Sequence, residues 1–109
     1  MFTLRDFLKA LDEPVGEMSI PGAGPWNVGT KYLIRTVTNY WVGELVAVYP
    51  MEIVLKTAAW VADTGRYTDC LLTGHLSEIE PVLHGHVIIG RGSIDDAVQW
   101  LHDLPREQK

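Results

Sequence analysis

The stretch TKYLIRTVTNYWVGELVAVYPMEIVLK, residues 30–56, decides the fold. Tyr32, Leu33, Ile34, Thr36, Val37 and Thr38 are β-branched, aromatic or apolar residues that favour a strand. Thr38-Asn39 has the chemistry of a turn, and Tyr40 to Tyr49 resumes as a strand. Thr30 to Tyr49 therefore reads as a β-hairpin, with Gly43 placed for a bulge or sharp bend. Pro50 marks the next turn. Met51, Ile53 and Leu55 then alternate with Glu52, Val54 and Lys56, which is the period of a strand. Three short antiparallel strands with tight turns and a glycine bend predict a small SH3-like antiparallel barrel. The class is α+β and mainly β, with one or two short helices.

Working outward, Ala58 to Asp69 is the centre of the chain. Asp63 or Thr64 caps a short helix or turn, and the helix runs from about Gly65 to Leu72. Tyr67, Leu71 and Leu72 are its expected buried face, and Gly74 its C-terminal stop. Ser77 to Pro81 and Val82 to Gly90 read as strands around Ile79 and Val87-Ile88-Ile89. In Ile94 to Leu104, the residues Ile94, Ala97, Val98 and Leu101 fit a helical stripe, with Ser93 and Asp96 as a capping pair. A strand through Ile94, Asp96, Val98 and Trp100 fits this segment less well locally.

Towards the N-terminus, Glu13 to Gly29 is rich in proline and glycine and reads as an extended arm anchored by Met18, Ile20 and Trp26. Thr3 to Asp12 reads as a short helix. Its stripe of Leu4, Phe7, Leu8 and Leu11 must dock on the domain or on a neighbouring subunit, because so short a helix is marginal alone. The expected organisation is a helix and arm over 1–29 and a β-rich domain over 30–109.

Composition narrows the function. The 109 residues suit one domain. A net charge of −5 opposes non-specific nucleic-acid binding, which needs a basic face. No apolar run reaches the roughly 20 residues of a membrane-spanning helix. The lone Cys70 forms no internal disulfide, so nothing requires an oxidising compartment. A cytosolic protein is the expectation.

Asp63-Thr64-Gly65 matches the aspartic-protease signature, which in a chain this short would have to work as a dimer. Too few residues separate Asp63 from Ile88-Ile89-Gly90 to house a flap, and Arg66 stands where that motif carries a small residue. A structural corner is the better reading. His84-x-His86 has the spacing of a ligand pair, but Gly85 between them indicates a solvated turn, so neither metal nor cofactor is expected. Gly65-Arg66 and Gly90-Arg91-Gly92 pair flexible backbone with a cation and could cradle an anion; salt bridges to nearby carboxylates are the favoured reading. Trp26, Tyr40, Trp41, Trp60, Tyr67 and Trp100 are many rings for so small a domain, and such rings anchor protein interfaces.

The segments Tyr32-Leu33-Ile34-Arg35-Thr36-Val37-Thr38, Gly43-Glu44-Leu45-Val46 and Ala58-Ala59-Trp60-Val61-Ala62-Asp63-Thr64-Gly65-Arg66 resemble a family of small bacteriophage and prophage proteins. Glu78-Ile79-Glu80-Pro81, Arg91-Gly92-Ser93-Ile94 and Trp100 to Pro105 extend the resemblance over residues 30–109. The resemblance implies a phage context, in the host cytoplasm or the virion, and no particular activity. A fainter likeness, through Ile34-Arg35-Thr36, Gly43-x-Leu45 and Val54-Leu55-Lys56-x-Ala58, is to phage anti-defence proteins that sequester cyclic nucleotides.

The resulting expectation is a non-enzymatic, homo-oligomeric phage assembly module that binds itself and other phage proteins. Leu4, Phe7, Leu8, Leu11, Trp26 and Trp41 would make its protein contacts. The alternative is a cyclic-nucleotide sponge, with Arg66 or Arg91 on the phosphate and Trp60 or Tyr67 stacked on the base.

Overall fold

A computed structural model describes residues 24–109. The helix expected over Thr3–Asp12, with Leu4, Phe7, Leu8 and Leu11, and most of the arm lie outside the described residues. The chain forms β1 (Lys31–Thr36), β2 (Tyr40–Val48), β3 (Glu52–Asp63), α1 (Tyr67–Thr73), β4 (Glu78–Pro81), β5 (Val87–Gly90), a 3-10 turn (Arg91–Ser93) and β6 (Ile94–Gln99). The protein is mainly β.

All strand pairs are antiparallel, in the order β4-β3-β2-β1-β6. The twelve-residue β3 organises the sheet. Along one side it pairs with β2. Along the other, its first half pairs with β5 and its second half with β4. The sheet is open, since β5 and β6 do not pair with each other.

The β1–β2 hairpin falls where the sequence places it. Thr36 donates its hydroxyl to the Asn39 carbonyl (2.9 Å), and the Thr36 amide bonds the same oxygen, closing the turn. The β2–β3 turn closes with Tyr49 N–H on Glu52 C=O. Gly43 marks a bulge, as expected: the register shifts between Val42 and Glu44. A Cβ at Gly43 would lie 3.2 Å from the Ala58 Cα and the Leu55 Cβ, so only glycine lets the strands cross this closely. The extra residue belongs to the opposite strand. Thr57 takes a left-handed backbone (φ 51°) that a β-branched residue rarely adopts. The bulge resets the alternation of β3, so Ile53, Leu55 and Ala58 pack in one core, and Ala59 and Val61 in another.

Those two cores lie on opposite faces of the sheet. One gathers Tyr32, Ile34, Leu45, Ile53, Leu55, Ala58 and Ile89, with Trp26, Trp41 and Ile94 packed on it. The other gathers Leu33, Val42, Ala59 and Val61 with Cys70 of α1, Leu76, Ile79 and Trp100.

Three expectations are corrected. Residues 94–99 form β6 and not a helix: the free edge of β1 recruits them, with Leu33 opposite Val98 and Ile34 opposite Ala97. Ladder bonds to a buried strand outweigh a weak helical stripe, and the Ser93 hydroxyl bonds Gly90 C=O instead of capping a helix. The helix after the corner starts at Tyr67, and its N-cap, Arg66, makes no side-chain cap bond. Its buried residue is Cys70, with Leu71 packed on the same core as expected, whereas Tyr67 is 43% and Leu72 73% exposed. Gly74 stops the helix as expected, at φ 79° with its N–H on Cys70 C=O.

Candidate functional site

Asp63-Thr64-Gly65 is a corner between β3 and α1. The Asp63 carboxylate accepts the Gly65 N–H at 2.8 Å, and the Thr64 hydroxyl donates to the Gly65 carbonyl at 2.8 Å. Gly65 has φ 71°, and a Cβ there would meet the Ser77 hydroxyl at 2.7 Å. Each member of the motif is thus engaged in turning the chain. His84, Gly85 and His86 form an exposed bend with Gly85 at φ 84°, and no cluster of metal-ligating groups occurs among the described residues.

The four candidate ligand residues do not converge. Trp60 pairs across the strands with Trp41, on the face that carries Ala58. Tyr67 stands on the other face, its ring 6.4 Å from that of Tyr40, which packs against the helix-side core. The two rings therefore cannot flank one base. Arg66 lies just past the C-terminal end of β3 and Arg91 beside its N-terminal end. A twelve-residue strand separates them by roughly 35 Å at about 3.3 Å per residue. Arg91 is also engaged, donating its guanidinium to Tyr49 C=O (2.9 Å) and its backbone N–H to Met51 C=O (2.9 Å). Only Arg66 and Tyr67, adjacent in sequence, share a neighbourhood. Partial burial raises the Tyr67 pKa, and the Asp96 carboxylate adds to it while Arg35 opposes it. Arg35 and Asp96 face each other across β1 and β6 and form an exposed ion pair, with Nε 3.0 Å from the carboxylate.

Trp26 and Trp41 are half-buried. Trp26 meets Tyr32 edge-on at 5.0 Å between centroids and, with Trp41, covers the first core. Beside Trp26 runs a shallow apolar groove of about 300 Å³, floored by Tyr32, Ile94 and Ala97. Trp100 is core: it is 1% exposed, and its indole N–H donates to Asp103 C=O.

The surface also exposes large apolar residues that the sequence reading did not select. Ile88 and Met51, 70% and 74% exposed, stand at the N-terminal end of β3. Leu72 and Leu101, both 73% exposed, belong to α1 and the tail, which are joined where the His102 ring bonds Leu71 C=O at 2.7 Å. One sequence signal bears on the first pair: no Asp, Glu, Lys or Arg occurs from Pro81 to Gly90.

The edges of the sheet are treated differently. The outer edge of β4 is covered by the chain's own end, with Ile79 and Lys109 exchanging both backbone bonds (3.2 and 3.0 Å). The edge strand β6 carries exposed Asp95 and Asp96. The edge strand β5 carries no charge, and among the described residues it pairs only with β3.

No family model, no curated protein and no solved structure matches the chain.

Proposed function

We propose that this chain is a non-enzymatic assembly module of a bacteriophage, which binds copies of itself and other phage proteins. One observation carries the reading: large apolar side chains stand in solvent at two separate places, Met51 with Ile88 and Leu72 with Leu101. A monomer gains nothing from exposing them, whereas a protein that meets neighbours on two sides buries them on assembly. The N-terminal stripe of Leu4, Phe7, Leu8 and Leu11 takes the same role, and Trp26 ties the arm to the domain. The phage context comes from the resemblance of residues 30–109. The fold reading that goes with this is an SH3-like antiparallel barrel, here with its sheet left open. Its support is the order β6-β1-β2-β3-β5, with the two outermost strands joined by the 3-10 turn Arg91–Ser93.

Light scattering on the full chain and on a chain lacking residues 1–28 tests the reading. The full chain is expected above monomer mass and the shortened one at lower mass. A full chain that stays monomeric at all attainable concentrations overturns it.

A further inference from the structure

We infer that two copies of this chain join through β5, pairing antiparallel about a two-fold axis at Ile88 to make one continuous sheet. The inference rests on the self-assembly reading above and names its contact.

The backbone sets the register. In an antiparallel ladder, alternate residues direct their N–H and C=O groups to opposite edges. Arg91 N–H bonds Met51 C=O, so Arg91, Ile89 and Val87 face β3. Ile88 and Gly90 therefore point outward. The Gly90 carbonyl is taken by the Ser93 hydroxyl at 2.8 Å. The outward groups left are both those of Ile88 and the N–H of Gly90, and no partner meets them among the described residues. This set is self-complementary. Two strands centred on Ile88 exchange both Ile88 bonds, and each Gly90 N–H reaches the partner's His86 carbonyl. The used Gly90 carbonyl is the one acceptor this register leaves out.

Charge selects the occupant. Two copies at −5 each repel at long range, so a contact surface free of like charge is favoured. Pro81 to Gly90 is such a surface. At β6 the same pairing would bring Asp95 and Asp96 against their own copies, a device that blocks edge association. At β4 the edge is already occupied by Lys109. Among the described edges, β5 alone has neither charge nor cover. The side chains agree. Ile88 pairs with Val54 of β3 on the outer surface, so the two-fold sets two Ile88–Val54 pairs side by side and buries both isoleucines. A four-residue strand makes a small contact, of the weak and reversible class.

The full chain and three variants, Ile88→Pro, Ile88→Lys and Ile88→Cys, test this in sedimentation velocity across a protein dilution series. Proline removes only the outward N–H, which no bond inside the fold uses. Ile88→Pro and Ile88→Lys should each weaken dimerisation by at least about tenfold. Ile88→Cys should cross-link on mild oxidation, since a hydrogen-bonded antiparallel pair places its Cα atoms about 5.5 Å apart, within disulfide reach. Cys70 is buried and does not compete. Gln99→Lys on β6 should leave association unchanged. If the full chain self-associates equally with proline or lysine at 88, the β5 pairing is wrong and the self-assembly reading stands. If the full chain is monomeric throughout, both fail. Circular dichroism confirms that each variant is folded, and the lysine variant decides should proline disturb the strand.

Discussion

The two faces of the sheet are closed by different means. The face bearing Ile34, Leu45, Ile53 and Leu55 is built almost wholly from strands, with Trp26 from the preceding segment packed on it. The face bearing Leu33, Val42, Ala59 and Val61 has no second sheet over it among the described residues. It is covered by Cys70 from α1, by Leu76, and by Trp100 and Leu104 from the end of the chain. The first core is a consequence of strand alternation. The second depends on segments far apart in sequence meeting over one surface, and on a few side chains that hold them there.

The sharpest way to break this comparison is Trp100→Ala. Trp100 is buried and hydrogen-bonded to Asp103 C=O, and its ring meets His102 edge-on at 5.1 Å. The substitution should cost about 3–5 kcal/mol in denaturant unfolding, because a large cavity opens where few other residues can move in. Amide exchange should then rise first in α1 and the tail. If exchange rises equally in the β1–β2 hairpin, the two cores are one cooperative unit.

Leu55→Ala, in the strand-built core, should cost about 2–5 kcal/mol in the same measurement and leave α1 no more exchangeable than the rest of the domain. A smaller effect is expected at Gly74→Ala. The left-handed backbone costs about 1–2 kcal/mol, and the new methyl would lie 2.7 Å from the His102 ring, which must turn away. That ring holds Leu71 C=O, so the loss should appear at the helix–tail seam and not in the hairpin.

The smallest prediction concerns reactivity. Burial, and secondarily the Asp69 charge, push the Cys70 thiol above its ordinary pKa. The reactive thiolate is therefore scarcer at neutral pH in the folded protein than in the unfolded one. A thiol reagent should label Cys70 far more slowly in the native protein than in denaturant, and Trp100→Ala should accelerate native labelling more than Leu55→Ala does. Equal acceleration would erase the distinction between the cores.

Much of the first core was legible in the chain. The Thr38-Asn39 turn, the Pro50 turn and the alternation through Ile53 and Leu55 are local signals, and the strands follow them. The Asp63-Thr64-Gly65 corner was legible too, because the side-chain acceptor and the glycine that make the turn sit next to one another. The second core was harder to read. Tyr67, Leu71 and Leu72 looked like the buried face of α1; Leu71 does pack on the core, but the helix buries Cys70 and turns Tyr67 and Leu72 outward, since a rotation along one turn is set by what lies beneath it. Residues 94–99 carried a helical stripe, and only the presence of an unpaired β1 edge made them a strand. The candidate ligand residues failed to meet for a related reason: closeness in sequence to a corner or to a strand does not say which face a side chain takes.

The sequence alone determined a mainly β chain, its first three strands, its tight turns and its charge-free segment from Pro81 to Gly90. These rest on alternation, turn chemistry and composition, which act over a few residues. Tertiary structure decided that Thr57 shifts the phase of β3, that β5 and β4 share one side of that strand, and that Lys109 covers one edge while β5, among the described residues, pairs with β3 alone. Those outcomes depend on which backbone groups find partners across the sheet, and a pairing partner is a property of the folded chain and not of any one segment.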